Sequence, residues 1–199
     1  MSFFRVHPKT DKRSLSINIP NILTVIRILL TPLFVIFLLK NLIHPALIVF
    51  TVAAISDGLD GLLARYFNQY SILGAYLDPI ADKILLAAAY VSLAVLKMLP
   101  AWLAVIVLSR DILIITGIAV FALVDIQIEI KPSLMSKWTT VAQLLTIFLV
   151  LLNPNVQGIY FAKKLLFWIT AGLTIASGLH YVYIGLNILQ NSYGKNHNN

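Results

Sequence analysis

Long apolar runs, each broken by a short polar joint, set the pattern of this chain. The joints fall at His44-Pro45, Asn68-Gln69, Leu99-Pro100, Lys131-Pro132 and Asn153-Pro154-Asn155. Proline beside a polar residue is the usual stop or start signal for a helix. The pattern predicts helices at about 21–43, 45–66, 71–97, 100–124, 133–152 and 160–190, each boundary good to ~2–4 residues. At ~20 residues per crossing, these runs predict an all-α, polytopic membrane protein with six transmembrane helices. The last run is longer than one crossing, so it is expected to tilt or to continue beyond the bilayer. The organisation expected is a basic segment at 1–17, one six-helix domain at 18–190 and a polar tail at 191–199.

Composition agrees with the pattern. Of 199 residues, 59% are hydrophobic and 12% charged, against ~25% charged in soluble domains. Mean hydropathy is +0.88. The net charge of +7 invites nucleic acid as a partner, but its distribution argues against one. Arg5, Lys9, Lys12 and Arg13 gather before the first apolar run, as a cytoplasmic anchor beside anionic lipid does. No basic face interleaved with aromatics is present to track a phosphate backbone. With no cysteine, disulfides and thiolate chemistry are excluded.

Six crossings would place both termini on one side. That side would carry Arg5, Lys9, Lys12, Arg13, Arg65, Lys131 and Lys195, and the other Lys40, Lys97, Lys163 and Lys164. The asymmetry predicts cytoplasmic termini.

Four of the eight acidic residues crowd into one region. Asp57 and Asp60 are three apart, Asp78 and Asp82 four apart, so each pair shares a helix face. The pairs flank the turn between the second and third helices, and an antiparallel hairpin lets them converge. Clustered carboxylates repel at low dielectric, and even one charge at a bilayer centre costs ~2.5–3.5 kcal/mol on insertion scales. A cation must sit among them, and hard oxygen donors suit Mg²⁺ or Mn²⁺, two ions being able to clamp a phosphoryl group. Gly61 and Ala64 leave the aspartate stripe without bulk, so a ligand can lie against the backbone while Arg65 counters its phosphate charge. For Gly58, Gly61, Ala64 and Gly74 the plainer reading is close helix packing. The acidic company favours the ligand.

The spacing Asp57-x₂-Asp60-Gly61-x₂-Ala64-Arg65-x₈-Gly74-x₃-Asp78-x₃-Asp82 resembles the signature of the CDP-alcohol phosphatidyltransferases, with every fixed position present. That resemblance implies a six-helix, homodimeric fold with its site open to the cytoplasm of, most simply, a bacterial inner membrane. It implies that Asp57, Asp60 and Asp78 hold the metals, with Asp82 a further ligand or the general base. Asp57, Asp60, Gly61, Ala64, Arg65 and Gly74 would contact the CDP portion. The implied reaction is attack of an acceptor hydroxyl on the β-phosphorus of CDP-diacylglycerol, releasing CMP.

Arg110 and Lys137 are candidates for binding a small anionic alcohol acceptor, and Arg27 is a third. An internal ion pair with Asp111 is the plainer reading for Arg110, although neighbours on a helix point in different directions. The opening Asn18-Ile19-Pro20-Asn21-x-Leu23-Thr24-x₂-Arg27 is similar to phosphatidylglycerophosphate synthases, whose acceptor is glycerol 3-phosphate. Ser109-Arg110-Asp111 and Pro132-Ser133-Leu134-Met135-Ser136-Lys137 look more like cardiolipin synthases of the same family, whose acceptor is phosphatidylglycerol. Glycerol 3-phosphate is the first expectation and phosphatidylglycerol the second. Two readings of another class stay open: a catalytically silent membrane scaffold, and an ion or proton transporter. His180, alone beside Tyr181, reads as a packing or interfacial residue, and Lys163 and Lys164 as side chains snorkelling to the outer interface.

Overall fold

The computed structural model describes residues 19–67, 72–123, 134–152 and 157–196. They form six helices: α1 (Ile19–Leu39), α2 (Ile43–Phe67), α3 (Ile72–Val95), α4 (Ala101–Leu123), α5 (Leu134–Leu152) and α6 (Gln157–Asn196). No strand occurs among the described residues. Helix α1 packs on α2 and α3, α2 on α5, α3 on α4 and α5, and α6 on both α4 and α5.

Buried positions on α1 recur as Thr24, Arg27, Thr31, Phe34 and Leu38, the i, i+3, i+7 spacing of one helix face. The stripe is polar near the start of the helix and apolar towards its end. The apolar end joins the core: Phe34 meets Phe50 of α2 with ring centroids 5.7 Å apart, and Leu38, Tyr90, Leu93 and Leu103 are fully buried around them. The outward surface is apolar too, with Leu29 65%, Ile48 64% and Leu179 66% exposed. A soluble helix bundle presents the opposite, so this surface calls for an apolar surrounding.

Two helices, Leu134–Leu152 and Phe161–Ile188, are long and apolar enough to cross a membrane, and Thr24–Leu39 and Ile43–Ser56 are shorter apolar stretches. At 40 residues, α6 is about 60 Å long, twice a hydrocarbon core.

Helices α1 and α3 end earlier than their apolar runs suggest, for the same reason. Asn41 (φ 56°) and Lys97 (φ 58°) adopt the left-handed conformation. Leu42 N–H donates to Phe37 O at 2.9 Å and Asn41 N–H to Leu38 O at 2.9 Å; Met98 N–H donates to Leu93 O at 2.9 Å and Lys97 N–H to Ala94 O at 3.0 Å. Both sets are Schellman caps. Pro45 sits in the first turn of α2, where its missing N–H breaks no helical bond.

Between α5 and α6 runs a seam of small polar side chains. Thr146 and Thr170 hydroxyls lie 2.8 Å apart, Gln143 Nε2 donates to Thr174 Oγ1 at 3.3 Å, and Thr139 Oγ1 donates to Leu173 O at 3.1 Å. From α3, Tyr90 OH donates to Gln143 O at 3.3 Å. Such interhelical bonds average ~0.6 kcal/mol each in a membrane protein. Ser136 lies three residues before Thr139 and Ser177 three after Thr174, so the seam ends by presenting two hydroxyls to α4.

Candidate active site

The hydroxyl seam opens into a layer of charge crossing α1, α3, α4, α5 and α6. Asp82 of α3 pairs with Arg27 of α1. The next residue, Lys83, projects about 100° round the helix and pairs with Asp111 of α4. Arg110 Nη1 donates to the same Asp111 Oδ1 at 2.7 Å. Arg110 Nη2 donates to Ser136 Oγ at 2.7 Å and Ser177 Oγ at 3.2 Å, and its guanidinium carbon lies 5.8 Å from the Tyr181 ring centroid. Buried Gly178 packs beside it: a Cβ there would stand in ordinary contact, 3.6 Å from Arg110 Cγ.

Burial sharpens the electrostatics. The Arg27 side chain is fully buried while Asp82 remains 35% exposed. Arg27 thus serves as a fixed counter-charge behind a carboxylate with one side still reachable. Asp111 is 8% exposed and Lys83 31%. One buried carboxylate therefore serves two cations, which among the described residues leaves the Lys83–Asp111–Arg110 cluster with one positive charge in excess. Lys83 is partly exposed, so an anion can reach that charge.

The layer brings together Arg27, Asp82 and Arg110 among the residues singled out from sequence. Lys137 is exposed in the first turns of α5, next to the Ser136 that Arg110 holds. Asp57, Asp60, Gly61, Ala64 and Arg65 lie in the last turns of α2, and Gly74 and Asp78 in the first turns of α3. Their side chains are outside the described residues. Both aspartate pairs do lie in unbroken helices, so their i, i+3 and i, i+4 spacings place each pair on one face. Among the described residues no three His, Asp or Glu side chains gather as metal ligands. The donor set fits a hard divalent ion in kind, being all oxygen, and Asp82 is its described member.

Lys83, Ser136, Ser177 and Tyr181 are the functional candidates that sequence reasoning did not single out. A usable signal exists for Lys83: it is the one cation of α3 and stands one step from Asp82, in a mostly apolar helix where an ionisable residue marks function by default.

The profile of the CDP-alcohol phosphatidyltransferase family matches residues 17–176. The chain belongs to this family. It is 36% identical over 172 residues to the CDP-diacylglycerol--glycerol-3-phosphate 3-phosphatidyltransferase of Escherichia coli K12, covering 83% of this chain and 93% of that protein. It is 33% identical over 192 residues to the CMP-forming cardiolipin synthase of Homo sapiens, covering 87% of this chain and 63% of that protein. A cardiolipin synthase/mitochondrial hydrolase fusion protein of Schizosaccharomyces pombe is 35% identical over 180 residues, 82% of this chain and 30% of its own length. The chain thus spans less than two thirds of these cardiolipin synthases and nearly all of the bacterial transferase.

Proposed function

We propose that this chain transfers the phosphatidyl group of CDP-diacylglycerol to sn-glycerol 3-phosphate, giving phosphatidylglycerophosphate and CMP. The observation that carries the acceptor class is Asp111 shared by Lys83 and Arg110, a cluster that among the described residues has one positive charge to spare for a phosphate. The near-complete span of the Escherichia coli relative favours glycerol 3-phosphate within that class. Phosphatidylglycerol, giving cardiolipin, is the second reading, supported by the similarity to the human enzyme and by Ser109-Arg110-Asp111.

On this reading the protein is a homodimer with six membrane crossings, in a bacterial inner membrane, its termini and site in the cytoplasm. Asp57, Asp60, Asp78 and Asp82 would hold two Mg²⁺ or Mn²⁺ ions, which would neutralise the pyrophosphate and the leaving CMP. Gly61, Ala64 and Gly74 let the CDP portion approach the helix backbones, and Arg65 meets its phosphate. Lys83 and Arg110, with Lys137 beside them, orient the acceptor phosphate so that its hydroxyl faces the donor. The hydroxyl oxygen bonds to the β-phosphorus and the bond from that phosphorus to the bridging oxygen breaks, leaving the electron pair on CMP. The hydroxyl proton passes to the Asp82 carboxylate, which Arg27 holds in place.

The test is CMP release from labelled CDP-diacylglycerol by the purified chain, with glycerol 3-phosphate, phosphatidylglycerol, inositol phosphate and serine offered separately. Release with glycerol 3-phosphate, lost in EDTA and restored by Mg²⁺ or Mn²⁺, is expected. Full turnover in chelator sinks the metal reading, and release with phosphatidylglycerol alone replaces the acceptor.

A further inference from the structure

The end of the bundle opposite the aspartates holds a second built feature. A cavity of about 440 Å³ lies between the α3–α4 connection and the start of α6, lined by Met98, Trp102, Lys163, Lys164, Phe167 and Trp168 among others. Its volume is within the ~300–1,000 Å³ of small-molecule sites. Trp102 and Trp168 close one wall with ring centroids 5.2 Å apart. Lys163 and Lys164 precede Phe167 and Trp168 by four residues each, about one helical turn, so each lysine shares a face of α6 with an aromatic residue.

Charge at this end is one-sided. The connecting segments 40–42, 96–100 and 153–156 contain no Asp or Glu, and neither do α5 and α6. The first acid on α4 is Asp111, ten positions beyond Ala101, or about 15 Å. Neither Lys163 nor Lys164 has an ion pair among the described residues. Half-buried Lys163 and exposed Lys164 thus set two positive charges beside aromatic and apolar walls, far from any described carboxylate, and an anion complements them. The walls select an anion that carries hydrocarbon.

We propose that this cavity binds an anionic phospholipid, its phosphate between the Lys163 and Lys164 ammonium groups and its acyl chain along Phe167, Trp168 and Met98. Tryptophan at the headgroup level and lysine stems lying over apolar surface both belong to such a site. The site lies on the membrane face opposite the proposed reaction and does not depend on that reaction.

The test is native mass spectrometry of the delipidated full chain in detergent, titrated with palmitoyl-oleoyl phosphatidylglycerol and, separately, with the matching phosphatidylcholine. Phosphatidylglycerol should bind more tightly than phosphatidylcholine. Binding should weaken roughly 30-fold in the Lys163→Gln/Lys164→Gln double variant, from ~1 kcal/mol per lysine at a lipid surface. The Lys163→Arg/Lys164→Arg double variant keeps the charge and should keep the binding. Millimolar inorganic phosphate should fail to compete. Equal affinity of wild type and the glutamine variant means annular lipid only and overturns the proposal. Full displacement by inorganic phosphate makes the site one for a free anion and overturns it equally. CMP release from CDP-diacylglycerol reports separately on the transferase, and both double variants should leave it unchanged.

Discussion

Replacing Lys83 by Met removes the spare positive charge while leaving every other partner in place. Asp111 keeps its 2.7 Å bond to Arg110, so no buried carboxylate is orphaned. The ~3–5 kcal/mol penalty of breaking a buried pair therefore does not apply. Lys83 itself is 31% exposed, and the pair it loses is discounted by solvent to about 0–1 kcal/mol. Thermal unfolding in detergent should consequently move by only a few degrees. The acceptor site fares worse. A charge-assisted contact to phosphate contributes ~1.5–3 kcal/mol, which is roughly a 10–150-fold rise in the apparent KM for glycerol 3-phosphate. Initial rates of CMP release, with each substrate varied at saturation of the other, separate the effects. The KM for CDP-diacylglycerol should hold, and Lys83→Arg should recover most of the acceptor affinity. An unchanged acceptor KM in a folded Lys83→Met protein, or a rise confined to CDP-diacylglycerol, refutes the shared-carboxylate argument.

Three further outcomes follow from the geometry. Arg110→Ala strips the donors from Ser136 and Ser177 and the ring contact with Tyr181, while Asp111 keeps Lys83. It should lower the unfolding midpoint more than Lys83→Met does and raise the acceptor KM, and a loss confined to CDP-diacylglycerol use would contradict its assignment. Asp82→Asn should suppress turnover with every acceptor and, by weakening the counter-charge of buried Arg27, lower the unfolding midpoint; activity retained with any acceptor in folded protein excludes Asp82 as base or ligand. Lys97→Gly relieves a left-handed backbone that costs an L-residue ~1–2 kcal/mol, less ~0.5–1 kcal/mol for glycine's greater freedom when unfolded. The net gain of about 0.5–1 kcal/mol should appear as a higher unfolding midpoint, and a lower one contradicts it.

Helix number and order were legible in the apolar runs because each run is long and each break carries proline or a pair of polar amides. The ends of α1 and α3 were not. Their Schellman caps use Asn41 and Lys97 rather than glycine, so the residue type that normally announces such a cap is absent. The start of α2 was misplaced by two residues because Pro45, read as a break, is tolerated inside a first turn. The far end of α6 continues to Asn196 in a stretch whose apolar signal has already faded.

At the site, spacing disclosed which aspartates share a face, since that depends only on helical period. It did not disclose cross-helix pairing. Lys83 and Asp111 are 28 residues apart, and only the packing of α3 on α4 joins them. The ion pair between neighbours Arg110 and Asp111, the plainer reading of the sequence, does form. Their Cβ directions diverge, but the guanidinium is long enough to reach back to the carboxylate.

The central claim, phosphatidyl transfer to glycerol 3-phosphate, is tested most directly by competition. The purified chain with Mg²⁺ and acyl-labelled CDP-diacylglycerol receives glycerol 3-phosphate and phosphatidylglycerol together at equal concentration, and labelled lipids are resolved by mass spectrometry. Label should appear in phosphatidylglycerophosphate with equimolar CMP. Label in cardiolipin alone, or no transfer in protein shown to be folded, contradicts the account.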